Sequence, residues 1–120
     1  MTVETDFRAV LAAHAPLTAL VQSRIALNAA PQGVDVPIVV FAVRAESLLD
    51  IAGVKLSERC SIDVQCWARS AAEASAVAEA VAAAVATAPA ARGAVVSQRA
   101  TVSDEETGLD GEQLVVDWWD

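Results

Sequence analysis

The stretch Arg59–Val85, RCSIDVQCWARSAAEASAVAEAVAAAV, decides the fold class. Cys60, Ile62, Val64 and Cys66 alternate with Ser61, Asp63, Gln65 and Trp67. Successive strand side chains point to opposite faces, so this is a strand with one buried and one wetter face. Ser70 then stands three residues before Glu73, the spacing at which a hydroxyl and a carboxylate satisfy the free amides of a helix start. Val77, Val81 and Val85 repeat at helical spacing. A strand running straight into an amphipathic helix predicts an α+β domain.

On the N-terminal side, residues 3–14 read as a helix with Phe7, Val10, Leu11 and His14 on one side. Glu4 and Asp6 favour its positive N-terminal end. Pro16 suits the start of a second short helix through about Val21, and residues 24–36 read as irregular. Residues 37–44 read as a strand, and 38–43 are apolar on both faces, which predicts a central one. Residues 45–54 read as its connection to the strand from Val54 to Trp67, although Leu48, Leu49 and Ile51 are unusually apolar for a wet loop.

On the C-terminal side, the helix over 71–88 ends before Pro89 and Gly93. Val95–Val102 and Gln113–Trp119 form a second hairpin around an acidic turn holding Gly108 and Gly111. The expected order is α-α-β-β-α-β-β. It folds most simply as a four-stranded antiparallel sheet in one domain, residues 1–120, with helices on one face.

Composition narrows the function. The chain has 120 residues, 55% of them apolar, with a formal net charge of -8. Residues 1–102 hold nine acids and eight bases, whereas residues 103–120 hold seven acids and no base. Such a surface repels nucleic acid and anionic membranes at long range. Tyr is absent and aromatics make up 4%, too few for a base-stacking platform. Cys60 and Cys66 lie about 20 Å apart on one strand, beyond the reach of a disulfide, and read as reduced core residues suited to the cytoplasm. The acidic residues ahead of any apolar run are the wrong sign for a signal peptide. The Ala-rich 71–91 carries acids and is too weakly apolar for a membrane span.

No catalytic, cofactor-binding or metal-ligating constellation is visible. The single His14 sits at a helix end, where imidazolium can satisfy carbonyls. The acidic turn does not fit a calcium loop: counted from Asp104, the sixth residue is Leu109 and the twelfth Val115, where Gly and Glu are required. There is no Gly-rich phosphate loop and no nucleophile elbow. The expectation is a protein that is not an enzyme and needs no cofactor. Two features look like interaction surface. Leu48, Leu49 and Ile51 mark either a subunit contact or a lid over one sheet face. In Trp118-Trp119, adjacent strand residues face opposite ways, so one indole joins the core and the other the open face, which Trp67 shares.

The pieces Leu17-Thr18-Ala19-Leu20-Val21, Arg24-Ile25, Ala30-Pro31 and Pro37-Ile38-Val39-Val40-Phe41 resemble the N-terminal half of bacteriophage tail terminator, or tail completion, proteins. Ile62-Asp63-Val64-Gln65-Cys66-Trp67-Ala68 and Asp104-Glu105-Glu106-Thr107-Gly108-Leu109 follow in the same order, so the resemblance spans nearly the whole chain. Phe41 departs from the pattern, which has a hydroxyl-bearing aromatic there.

The resemblance implies a non-enzymatic virion protein, assembled in the host cytoplasm. Its implied state is a hexameric ring that caps the tail tube, stops polymerisation and offers the head-attachment surface. Implied partners are other copies of the chain, the tail tube protein and head–tail connector proteins, with no specific nucleic-acid binding and no membrane. In that setting Leu48, Leu49, Ile51, Trp67 and Trp119 are candidate subunit-interface residues. Asp104, Glu105, Glu106, Asp110 and Glu112 are candidates either to line the lumen or to dock on the tail tube. Two other readings stay open: a different neck or baseplate adaptor, and a small ligand-binding or regulatory domain that dimerises through its sheet.

Overall fold

A long strand, β3 (Lys55–Ala68), forms the axis of the molecule and passes through Arg69 and Ser70 directly into α3 (Ala71–Ala86). The joint is capped as the sequence demands: Ser70 Oγ accepts from the Glu73 amide at 3.2 Å. The structure, a computed structural model, describes residues 3–28, 36–49, 55–87, 93–106 and 108–119; side chains are described for 4–28, 36–44, 60–87, 95–106 and 108–118.

The other elements are α1 (Val3–Ala13), α2 (Ala15–Val21), β1 (Ile25–Leu27), β2 (Ile38–Leu49), β4 (Gly93–Asp104) and β5 (Leu109–Trp119). The sheet has five strands in the order β1-β2-β3-β5-β4. The class is the α+β one expected, but with five strands rather than four. The extra strand, β1, lies in the segment read as irregular. It pairs parallel with β2, Ile25 opposite Val39, while every other pairing is antiparallel. Three residues are too short to show a period. What holds them is the backbone ladder, extended by the Val39 amide donating to the Arg24 carbonyl and the Asn28 amide to that of Phe41.

β2 also runs past the expected end at Arg44. Its backbone pairs with β3 as far as Leu49 opposite Lys55, so Leu48 and Leu49 belong to a ladder and not to a loop. β4 and β5 reach closer to their turn than expected, to Asp104 and Leu109. Gly108 closes this turn at φ +71°, a conformation that costs a residue without Cβ little; its amide donates to the Asp104 carbonyl at 2.8 Å.

One face of the sheet is dry. Val39 and Phe41 of β2, Cys60, Ile62, Val64 and Cys66 of β3, and Leu114, Val116 and Trp118 of β5 meet the helices there. From α3 come Ala74, Val77, Ala78, Val81, Ala84 and Val85, a stripe of small residues that lets the helix lie close. Phe7 of α1 is the hub. It meets Phe41 edge-on at 5.2 Å and Trp118 at 5.7 Å. Such pairs add about 0.5–1.5 kcal/mol each beyond the area they bury. Leu17 and Val21 of α2 join this core, whereas Leu20 is 37% exposed.

The opposite face carries no helix among the described residues. Arg44, Asp63, Gln65, Trp67, Gln113 and Val115 lie on it, with Ile38, Val40 and Ser61 almost covered between them.

Candidate functional site

The long strands separate the residues the sequence singled out. Along β3, Lys55 and Ala68 are about 43 Å apart at the usual strand rise, and the molecule measures 50 Å in its longest dimension. At one end β5 stops at Trp119, opposite Arg59, while β2 and β3 continue alone through Ser47–Glu58, Leu48–Ser57 and Leu49–Lys55. This two-stranded ribbon projects roughly 10 Å beyond the described sheet. At the other end Ala68 lies opposite Asp110, beside the acidic turn.

The candidate interface set therefore divides. Leu48 and Leu49 are on the ribbon. Ile51 and the Trp119 side chain lie outside the described residues. Trp67 is near the acidic end, half-buried on the open face, with its indole Nε1 donating to Gln65 Oε1 at 3.2 Å. Its ring covers Gly111, the residue opposite it on β5: a Cβ there would come within 2.7 Å of Trp67 Cε3 and 3.0 Å of the Cys66 carbonyl. Trp118 is the indole in the core, 1% exposed.

The acidic set divides too. Asp104, Glu105, Glu106 and Asp110 gather around the turn, where the Glu106 amide donates to Asp104 Oδ1 at 3.0 Å. Glu112 does not join them. It is on the helix-covered face of β5, its side chain 8% exposed, and its Oε2 accepts from Arg99 Nε. Arg99 also donates to Glu79 Oε1 at 2.7 Å and to Ser75 Oγ at 3.1 Å, which ties α3 to both strands of the second hairpin. The hydrogen bonds it donates to Glu112 first, then Glu79, hold the Arg99 guanidinium above its usual proton affinity. Glu112 thus serves the interior rather than a docking surface.

The sequence reading missed Arg99 because of one residue. The register slips between Val96 and Gln98, a bulge at Ser97, whose Oγ donates to the Val115 carbonyl at 3.2 Å. In strict alternation Arg99 would share a face with Val95 and oppose Val96. The bulge turns it onto the face of Val96 and Leu114, toward α3.

Both cysteines are buried, and neither forms a disulfide. Burial, then the neighbouring Glu112 charge, pushes the Cys66 thiol up to about 12 against the opposing pull of Arg99. A thiol so held is a packing group and not a nucleophile. Among the described residues no group of three or more His, Cys, Asp or Glu is placed to hold a metal ion. No described helix is long and apolar enough to cross a membrane. Hollows on the open face are shallow; one of about 160 Å³ is lined by Asn28, Val40, Ala42, Asp63, Gln65 and Gln113.

The chain thus presents strand edges, a ribbon and a charged end, the equipment of a structural assembly protein. It belongs to the family described as Tail completion protein gp17, whose pattern matches residues 5–119. It is accordingly a structural protein of a phage-type tail. Among solved structures, a chain of "Virion of native gene transfer agent (GTA) particle" has the same fold, with a TM-score of 0.77 at 21% identity. The match covers 98% of this chain and 92% of that one. Among curated proteins, none matches.

Proposed function

We propose that the protein completes a tail by forming a hexameric ring on the end of the tail tube, stopping its polymerisation and offering the surface to which head–tail connector proteins attach. The observation that carries this reading is the polarity of the molecule. A subunit whose long strands run with the tail axis has two different ends to offer, a ribbon at one and an acidic turn at the other. A ring joining two unlike structures needs two unlike ends.

In this reading Leu48 and Leu49 on the ribbon serve a subunit contact, with Ile51, Trp67 and Trp119 as further contact residues. Asp104, Glu105, Glu106 and Asp110 dock on a basic surface of the tail tube. Docking fits better than a lumen lining, because these acids gather at one end of the strands rather than along them. The assembling partners are other copies, tube protein and connector.

The test is assembly in solution. The expected result is a particle of about six times 12.4 kDa that appears in negative stain as a ring with a central hole. A stable dimer closed through the open sheet face would overturn the ring. Asp104→Asn/Glu105→Gln/Glu106→Gln keeps the turn's amide acceptor but removes charge; it is expected to weaken tail-tube binding and its salt dependence together. Normal binding with slowed DNA ejection would place the acids on the lumen instead.

A further inference from the structure

The sheet leaves two stretches of backbone without a strand partner among the described residues. One is the whole outer side of β4, the last strand in the order β1-β2-β3-β5-β4. The other is the outer side of β2 over residues 42–49, because β1 covers only Val39 to Phe41. An unpaired edge is a template for another strand unless lysine, proline, a bulge, an inward-pointing charge or a covering element blunts it. Neither stretch contains Lys or Pro. β4 carries a bulge at Ser97 and one inward base, Arg99, bonded to Glu112 and Glu79, yet beyond the bulge residues 98–104 run in unbroken register with β5 and keep a regular outer edge. Val95, Ser97, Gln98, Ala100, Thr101 and Ser103 are all exposed, Val95 at 55%.

We propose that the outer edge of β4 takes up β2 of a second copy over residues 42–46, the part of the open stretch level with it, as an antiparallel strand, so that neighbouring subunits share one continuous sheet. This rests on the ring reading above and names its subunit contact. Three observations select a second copy as the occupant. The two stretches lie on opposite sides of one sheet, the arrangement of a head-to-tail contact that can close into a ring. They run in opposite directions, since β3, β5 and β4 each reverse on the strand before. Rotation about an axis along the strands preserves direction, so β4 meets the next copy's β2 antiparallel. Finally, each stretch is neutral, Arg44 balancing Glu46 and Arg99 balancing Asp104, on a chain whose net charge of -8 otherwise drives copies apart.

The experiment is hydrogen exchange of the full chain, dilute and concentrated, with the mass of each state measured alongside. In the assembled state, peptides from both β4 and residues 42–46 are expected to exchange at least tenfold more slowly than in the monomer. An assembly in which neither stretch gains protection overturns the edge pairing and leaves the ring standing. Protection of β4 without residues 42–46 overturns the β4-to-β2 contact in favour of a symmetric β4 pair. A chain that stays monomeric at all concentrations overturns the self-complementary edge, whereas its place in the tail family is unaffected. Ala100→Pro and Thr101→Pro add a second check. Neighbouring amides on a strand alternate between its two sides, so one proline spares the ladder to β5. That variant should melt like the parent and fail to assemble; two variants that fold and assemble normally would also overturn the proposal.

Discussion

The two faces of β3 are built from alternate residues of one strand, yet they answer to different rules. On the helix side Cys60, Ile62, Val64 and Cys66 are at most 1% exposed, and the polar groups admitted there are bound to one another. On the other side Asp63, Gln65 and Trp67 stay half-exposed, with Asp63 accepting from Arg44 and Gln65 from Trp67. The difference teaches where stability resides. The covered face holds the fold, while the open face, the strand edges and the ends are the surfaces that the proposed ring would use.

The strongest way to break this contrast is at Trp118. Trp118→Ala empties a site shared with Phe7, and denaturant unfolding should show a loss of about 3–5 kcal/mol. A loss below 1 kcal/mol would mean the aromatic cluster is not the core it looks like. Next is Arg99→Met, which leaves Glu112 buried without its main partner. The expected cost is about 2–4 kcal/mol, under the fully buried case because the Arg99 side chain is 32% exposed. Adding Glu112→Leu should restore part of it, since removing both partners strands no charge. A double variant worse than Arg99→Met alone would contradict that account.

Gly111→Ala sharpens the comparison from the open face. The new methyl meets the Trp67 ring and should cost about 1–3 kcal/mol, largely relieved in a Trp67→Ala background. No relief would show that the Cys66 carbonyl sets the limit. Arg44→Ala should change stability by about 0.2–1 kcal/mol, and less as salt is added, because its pair with Asp63 is exposed. The smallest effect at neutral pH concerns Cys66. Its folded thiol titrates near 12 against an ordinary value of 9.0, so the unfolded chain loses the proton first. Stability should fall as pH rises from 9.0 toward about 12 and be untouched below, with a shallower fall in Cys66→Ala.

Local signals in the sequence proved sound. The alternation of 60–67, the Ser70–Glu73 cap and the valine spacing of 77, 81 and 85 each depend on neighbours a few residues apart, and each is present in the structure. The core role of Trp118 followed from the same alternation. The readings that failed share a cause in distance along the chain. Leu48 and Leu49 looked like loop residues because their ladder partners, Ser57 and Lys55, lie nine and six residues further along the chain. Glu112 looked like part of an acidic surface because Arg99, which claims it, stands thirteen residues earlier in sequence and faces it only through the bulge at Ser97.

By itself, then, the sequence determined the α+β class, the order of its major elements, the charge asymmetry and the resemblance to tail completion proteins. Period, capping and composition are properties of adjacent residues and survive without a fold. Only the tertiary structure decided the fifth strand, the ribbon, the inward turn of Arg99 and Glu112, and the opposition of the ribbon to the acidic end. Strand register and neighbour order arise from pairing between distant segments, and a single inserted residue reverses which face a side chain joins.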